Sequence, residues 1–197
     1  RMSRGLGDVY KRQDRKEAFM FAQLDTKSVY SFMDSVVDLT TYVERAKELG
    51  YQALGLMDRD NLYAAYHFAQ FASSNGLRPL IGMEANLFYE GRKIPFRLLA
   101  KNNQGYKNLM KLATELSSGQ CEFTAFSDYL NAIALILPSE DWEPGMTLGS
   151  EVFIGVRPED AGKEFDYPVV PLHTVRYFEN VDPVSYTHLR AHETCAD

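Results

Sequence analysis

The chain has 197 residues, with 21 basic and 27 acidic side chains and a formal net charge of −6 at pH 7. This acidic balance argues against a whole-chain nucleic-acid clamp, because phosphate binding needs clustered cations. No apolar run reaches the roughly 18 residues that a membrane span needs, and no secretory signal pattern is visible. No contact with a membrane is therefore expected.

The two ends of the chain are related to each other through DNA. Residues 3–13 and 184–194 correspond to opposite strands of one inverted DNA element, read in different frames. Such an element resembles a transposase mosaic-end adapter from a sequencing library. We therefore expect residues 1–13 and 184–197 to be adapter-derived tails, and residues 14–183 to be the native segment, a fragment of a longer protein.

The native segment has the size and the cysteine content of one intracellular domain. About 170 residues are enough to bury a sizeable core. Cys121 is the only cysteine of this segment, and a lone cysteine forms no internal disulfide. A reducing cytoplasm is the expected location.

Strand and helix signals alternate in the first half of the segment. A strand is predicted over residues 18–24, and apolar residues at helical spacing follow in 35–50. A short strand at 52–57 leads into a second predicted helix, which Asp60 or Asn61 can cap.

The second half continues the alternation. Glu90 and Gly91 mark a hairpin whose second strand is predicted at 94–100. The remaining predicted elements are a helix at 104–119, strands at 132–138, 151–156 and 167–172, and a long loop at 141–149. Strands separated by helices over this length predict an α/β fold with a mostly parallel sheet or a barrel.

The stretch FAQLDTKSVYSFMD, residues 21–34, has the frame of a metal site that lacks imidazole ligands. Gln23 and Asp25 stand two apart at the end of a predicted strand, so they project from the same side. A His-x-His metal clamp uses the same spacing.

Five blocks carry a resemblance to a known family: QLDTKSVYSFMD, LGLMDRDNLYAAYHF, LIGMEANLFY, LLAKNNQGYKNLMKL and VPLHTVRYF. With these blocks in order, the chain resembles the N-terminal PHP (polymerase and histidinol phosphatase) domain of bacterial DNA polymerase III alpha subunits, in the Gram-positive form. The resemblance implies a distorted seven-stranded β/α barrel (TIM-like), incomplete at its C-terminal edge.

The resemblance also implies a parent protein. That parent is a cytoplasmic DNA-directed DNA polymerase, a nucleotidyltransferase of DNA replication that uses Mg²⁺. The implied partners are the remaining polymerase domains of the same chain, the subunits of the replication holoenzyme, and DNA through the parent. The polymerase active site lies downstream, so no catalytic residue and no cofactor are expected in this segment.

Family members with an intact site bind zinc or manganese at the C-terminal mouth of the barrel, for phosphoester hydrolysis. The resemblance places the family positions of this pocket on Gln23, Asp25, Asp34, Asp58, Arg59, Glu84, Thr174 and Arg176. It also places one more family histidine on Pro95 and a family cysteine near Pro138.

These substitutions predict a vestigial pocket without metal. Arginine offers no lone pair and stays protonated, so Arg59 and Arg176 cannot bind a cation. The remaining carboxylates would repel one another without a positive charge among them. We predict that both arginines pair with some of these carboxylates, and that removing a buried arginine costs roughly 3 to 5 kcal/mol.

Two other functions stay open at this stage. One is a metal-dependent phosphoesterase or 3′-5′ exonuclease, against which the lost ligands argue. The other is a surface that touches DNA or an acidic face of the polymerase body and is built on a basic run, although an ordinary solvated face is the favoured interpretation of this run. The run consists of Arg92, Lys93, Arg97, Lys101, Lys107 and Lys111.

Several conspicuous side chains have simpler interpretations. Plain structural or solvent-facing roles are predicted for His67, His173 and Cys121. Four aromatic residues at helical spacing are predicted to pack in the core rather than to stack on bases: Tyr63, Tyr66, Phe68 and Phe71.

Overall fold

The computed structural model describes residues 22–178, apart from Met33, Gln120, Ser150 and Ala161. Both predicted adapter tails, and positions 18–21 of the first predicted strand, lie outside the described residues. Among the described residues, no helix is both long and apolar enough to cross a membrane.

The described residues form nine β-strands: β1 (Ala22–Gln23), β2 (Asp25–Thr26), β3 (Ala53–Arg59), β4 (Arg78–Tyr89), β5 (Arg92–Ala100), β6 (Ile133–Pro138), β7 (Val152–Val156), β8 (Val169–Pro171) and β9 (Thr174–Val175). Seven of them form one sheet in the order β1-β3-β4-β5-β6-β7-β8, and β2 pairs with β9. Only the two ladders that β5 makes with β4 and β6 are antiparallel within this part of the chain. The predicted mostly parallel α/β sheet is confirmed.

Three α-helices cover the outer face of the sheet: α1 (Leu39–Glu48), α2 (Ala65–Ser74) and α3 (Asn103–Ser117). Asp38 caps α1 by accepting a hydrogen bond from the backbone N–H of Thr41 at 3.1 Å. Asn102 caps α3 in the same manner. Side-chain caps of this kind satisfy backbone N–H groups that the first helical turn leaves without partners.

The predicted cap of α2 is wrong. This helix starts at Ala65 and has no side-chain cap. Asp60 instead has a φ of 53° and accepts hydrogen bonds from the backbone and side-chain N–H groups of Asn86. Asn61 accepts from the backbone N–H of Tyr63, which forms a local turn before the helix. Both side chains therefore serve the loop at the end of β3.

The two edges of the seven-stranded sheet approach each other at one end. β1 and β8 are the edge strands, and the chain runs from them directly into β2 and β9. β2 and β9 pair in parallel, with Asp25 opposite Thr174. This short ladder curls the sheet into a half-barrel, which agrees with the predicted incomplete seven-stranded barrel.

Side chains alternate between the two faces of this curled sheet. On β5, Ile94, Phe96 and Leu98 pack in the large outer core. Arg97 and Leu99 therefore face the inside of the half-barrel, where Leu99 packs against a small inner apolar cluster. Arg59, Glu84 and Arg97 stand side by side on this inner face, on β3, β4 and β5.

One glycine sets how closely the first strands approach. A Cβ at Gly55 would lie 2.0 Å from the backbone oxygen of Leu24. No other residue fits there without moving the chain, so glycine at this position in β3 allows the segment before Asp25 to pack against the sheet.

The outer layer of helices is incomplete. α2 connects β3 to β4, and α3 lies between β5 and β6. Between β6 and β7, the described part of the chain has only a short 3-10 helix, Ser139–Asp141, followed by the predicted loop. An unpredicted 3-10 helix, Phe123–Tyr129, follows α3.

Candidate functional site

Three neighbouring strands place a row of charges on the inner face of the sheet. In the strand register, Arg59 on β3 stands opposite Glu84 on β4, and Glu84 stands opposite Arg97 on β5. The Nε of Arg59 lies 3.3 Å from Oε1 of Glu84, and Nη2 of Arg97 lies 3.3 Å from Oε2. The carboxylate thus lies between two guanidinium groups.

Lys27 occupies the centre of the site. Its ammonium Nζ lies 2.9 Å from Oδ1 of Asp25 and 2.9 Å from Oε2 of Glu84, and it donates to the carbonyl oxygen of Met57 at 2.6 Å. The side chain is 0% exposed. Three acceptors match the three N–H groups of an ammonium, so this buried charge is fully satisfied.

Arg97 and Thr174 complete the shell around Asp25. Nε of Arg97 lies 3.1 Å from Oδ2 of Asp25, and the hydroxyl of Thr174 donates to the same oxygen at 2.7 Å. Nη1 of Arg97 donates to the carbonyl oxygen of Pro95 at 2.6 Å. The contact with Thr174 connects this shell to β9.

Asp34 connects the site to the loop after β2. Its two carboxylate oxygens accept from Nη2 of Arg59 at 2.8 Å and from Nε of Arg176 at 3.0 Å. Both arginines therefore make ion pairs with pocket carboxylates, as predicted. We call the seven residues of this network the ion-pair cluster: Asp25, Lys27, Asp34, Arg59, Glu84, Arg97 and Arg176.

Asp58 has a different role from the other predicted pocket residues. Its oxygens accept three hydrogen bonds of 2.7 Å, from the backbone N–H and hydroxyl of Ser28 and from the hydroxyl of Ser31. Asp58 follows Met57 on β3, and neighbouring residues of a strand point to opposite faces. Its side chain therefore points away from Met57. The three hydrogen bonds anchor the loop after β2, and Asp58 makes no ion pair among the described residues.

Gln23 and His173 join the two edges of the sheet. The side-chain amide of Gln23 donates to the backbone oxygens of Asp25 and His173, at 3.0 Å and 2.6 Å. His173 contributes this carbonyl oxygen, while the residue as a whole is exposed, as predicted.

His67 is also exposed, on α2, and Pro138 is buried at the end of β6.

The charges of the ion-pair cluster fix the ionisation of its buried carboxyl groups. Burial alone would raise the pKa of Asp25 above its ordinary value, but the adjacent charges of Lys27 and Arg97 outweigh burial and lower it. The pKa of Glu84 is lowered by the same balance. Both groups are therefore carboxylates at neutral pH and are poorly suited to donate protons.

The residues of the ion-pair cluster do not fit the zinc or manganese centre that the resemblance implies. The carboxylate oxygens that would bind a metal ion are held by one ammonium and three guanidinium groups. Guanidinium groups also stand at two of the family's histidine positions and have no lone pair to offer. What the geometry provides is a connected network of fixed charges.

Sequence reasoning missed two of the four cations. Arg97 was grouped with the basic run, as part of a possible nucleic-acid surface or of an ordinary solvated face. Neither interpretation holds for this residue, which is only 7% exposed and faces the half-barrel interior. The apolar alternation of Ile94, Phe96 and Leu98 was the available signal. Lys27 has no such signal, because its burial depends on the pairing of β2 with β9.

The rest of the basic run is exposed but partly neutralised. Arg92 lies 2.6 Å from Glu143, and Lys101 pairs with Glu151. Lys111 lies over the ring of Tyr129, 6.0 Å from its centroid. Two of the five exposed cations of this run are therefore paired with carboxylates, and a nucleic-acid role for the run stays a hypothesis.

The prediction for the aromatic residues of α2 is half right. Phe68 is fully buried, and Phe71 packs at the edge of the core. Tyr63 and Tyr66 are exposed by 76% and 68%, because Tyr63 precedes the helix and Tyr66 lies on its outer side.

Comparisons with known proteins show what this chain is similar to. The family model described as "PHP domain" matches residues 23–143. The DNA polymerase III subunit alpha of Streptococcus pyogenes serotype M1 is 45% identical over 165 residues, which are 83% of this chain and 16% of that protein. The Bacillus subtilis protein of the same name is 33% identical over 126 residues, 61% of this chain and 11% of that protein.

Among solved structures, an amidohydrolase from Chromobacterium violaceum is similar with a TM-score of 0.49 and 10% identity. The similarity covers 86% of this chain and 96% of that one.

Proposed function

The chain belongs to the PHP domain family, and from this premise we propose that it is the N-terminal PHP domain of a replicative DNA polymerase alpha chain, acting as a structural and interaction module. Its identity of 45% to the Streptococcus pyogenes alpha subunit supports this proposal. The chain spans only 16% of the length of that relative. Nucleotidyl transfer with Mg²⁺, the remaining polymerase domains, holoenzyme subunits, DNA and a cytoplasmic location are therefore proposed for the parent protein.

The observation that carries the structural role is the position of Lys27. Its ammonium is bonded to two buried carboxylates, as a bound cation would be. The protein thus supplies the positive charge from its own chain, where the intact family site relies on metal ions. In this proposal the pocket no longer performs hydrolysis and instead fixes the mouth of the half-barrel.

The ion-pair cluster is suited to this role because its members come from distant parts of the chain. Arg59 bridges Glu84 on β4 and Asp34 in the loop after β2. Arg176, which follows β9, pairs with the same Asp34. The ion-pair cluster therefore connects four strands, β2, β3, β4 and β5, with the loop after β2.

The test is whether the chain depends on metal. We expect the purified chain to contain no stoichiometric zinc or manganese, to show the same melting temperature with and without EDTA, and to hydrolyse neither p-nitrophenyl phosphate nor a single-stranded DNA 3′ end. A PHP phosphoesterase with its histidine ligands intact serves as the positive control. Stoichiometric metal together with hydrolysis by the chain would instead support the alternative, a metal-dependent phosphoesterase or 3′-5′ exonuclease.

The assignment to a polymerase has its own test. The genomic reading frame that contains residues 14–183 should continue into further barrel and then into a palm domain with paired aspartates. A natural stop codon directly after this segment would instead indicate a stand-alone PHP protein.

A further inference from the structure

A groove opens on the outer face of the sheet, on the opposite side from the ion-pair cluster. It has a volume of about 880 Å³ and is bordered by apolar residues of β6, β7 and the 3-10 helix Phe123–Tyr129, among them Leu135, Val152 and Phe123. These residues belong to the large outer core and are at most 5% exposed. The apolar surface that the groove still offers comes from Phe88, Tyr89 and Leu130 at its border, which are exposed or half-buried.

The groove exists because the outer layer lacks one helix. α2 and α3 cover the sheet where they connect neighbouring strands, but the described residues between β6 and β7 form no α-helix. Leu148, in this connection, and Leu130, after the 3-10 helix, both line the groove.

The rim of the groove is acidic. Glu90, Glu122 and Glu151 border it, with Lys101 as the single cation among the described lining residues. Lys101 pairs with Glu151. Glu90 and Glu122 are exposed, and within the described part of the chain neither forms an ion pair, so both carboxylates are accessible to a cationic partner.

We propose that this groove binds a helical peptide segment of a partner protein, with apolar side chains on one side of the helix and lysine or arginine on the other. The exposed and half-buried apolar side chains at its border offer surface that such a segment can bury, and the two glutamates attract its cations. The volume lies within the range of roughly 300 to 1,000 Å³ that is usual for binding clefts. Nucleic acid is a poor occupant, because the acidic rim repels phosphates. This proposal does not depend on the assignment to a polymerase.

The first experiment compares two synthetic helical peptides that differ only in charge. One carries leucine on one side and lysine on the other, and its partner has glutamate in place of every lysine. Isothermal titration of the chain should give saturable binding of the leucine–lysine peptide, and at least tenfold weaker binding of the leucine–glutamate peptide.

Cys121 reports where the peptide binds. It directly precedes Glu122, is partly exposed, and its backbone oxygen accepts from the N–H of Phe88 at 2.7 Å. In a chain carrying Cys195→Ser, the bound leucine–lysine peptide should slow the alkylation of Cys121 by N-ethylmaleimide. Saturable binding that leaves the alkylation rate unchanged would place the peptide elsewhere and overturn the proposal.

A charge swap provides the decisive control. The double variant Glu90→Lys, Glu122→Lys should bind the leucine–lysine peptide at least tenfold more weakly and should gain affinity for the leucine–glutamate peptide. The variant Glu44→Lys, Glu48→Lys makes the same change of charge on α1 and should behave like the unmodified chain, with circular dichroism confirming that each variant folds. Equal affinity for both peptides, an equal effect of the two double variants, or no binding at millimolar peptide would refute the groove as a peptide site.

Discussion

At the level of single residues, burial decides which charges matter most. The side chains of Lys27 and Arg97 are 0% and 8% exposed, whereas that of Arg59 is 39% exposed. Solvent screens an ion pair on the rim far more than one inside. The sequence indicated Arg59 and Arg176 as the important cations. From the burial in the structure, we instead expect Lys27 and Arg97 to contribute more to the free energy of unfolding.

Lys27→Met tests this assignment. Methionine keeps the length of the side chain but leaves Asp25 and Glu84 without the charge between them, and uncompensated buried charges are costly. We expect the free energy of unfolding, measured by urea denaturation, to fall by about 3 to 5 kcal/mol.

Two matched variants calibrate the result. Arg59→Met should cost only about 1 kcal/mol, because its guanidinium is partly solvated. Arg45→Met breaks an exposed pair with Glu48 on α1 and should leave the unfolding midpoint unchanged. An effect of Lys27→Met as small as that of Arg45→Met would show that Lys27 does not hold the site together.

The lowered pKa values of Asp25 and Glu84 predict how stability depends on pH. Burial opposes ionisation of both groups, and the charges of Lys27 and Arg97 more than compensate, so the folded state binds protons more weakly than the unfolded state. Their contribution is therefore complete above the ordinary values of 3.8 and 4.5, and it is lost as the pH falls through the lower folded values.

Thermal melts across the acidic range measure this dependence. The melting temperature should stay level from neutral pH to about pH 5 and fall below about pH 4. In Lys27→Met the fall should be smaller, because without Lys27 the folded-state pKa values of Asp25 and Glu84 move up towards those of the unfolded chain. Identical pH profiles for the two proteins would contradict the electrostatic account.

At the level of secondary structure, the long strands and helices could be predicted, but the shortest strands could not. β3, β5 and α3 follow from apolar periodicity, which is a local property of the sequence. β2 and β9 have two residues each, and they exist only because distant segments pair. The predicted cap of α2 was wrong because Asp60 accepts hydrogen bonds from Asn86 on the neighbouring strand. Local sequence patterns do not reveal this contact.

The loop after β2 depends on Asp58. This carboxylate receives three hydrogen bonds from Ser28 and Ser31, while Tyr30 and Phe32 in the same loop are 47% and 82% exposed. Asp58→Ala should release the loop, so chymotrypsin should cleave after Tyr30 or Phe32 faster than in the unmodified chain.

Mass spectrometry identifies the cleavage sites, and Asp166→Ala, at an exposed position, is the control. Unchanged cleavage of the loop in Asp58→Ala would show that other contacts hold it in place.

At the level of the whole molecule, the family resemblance predicted the half-barrel and its mouth, because five sequence blocks fix the order of the elements. It could not predict that Lys27 lies at the centre of the ion-pair cluster, since the resemblance places no family ligand at that position. The adapter origin of the two tails remains a prediction.

Three lengths of chain test the whole-molecule predictions together. Residues 14–183 should melt at the same temperature as the full chain, because the tails are predicted to be foreign. Residues 14–172 lack β9, Thr174 and Arg176, so Asp25 and Asp34 each lose a partner. We expect the melting temperature of this shorter chain to fall by about 5 °C or more. If it melts like the longer chain, β9 is dispensable.

The pairing of β2 with β9 also bears on how the chain folds. Asp25 and Thr174 are 149 positions apart, and closing a loop of that length costs about 4 kcal/mol of chain entropy. Local helices and the β4–β5 hairpin can form before that cost is met, so we expect closure of the mouth to come late. On a ribosome it must wait until Arg176 has emerged, and the acidic groups around Lys27 stay hydrated until then.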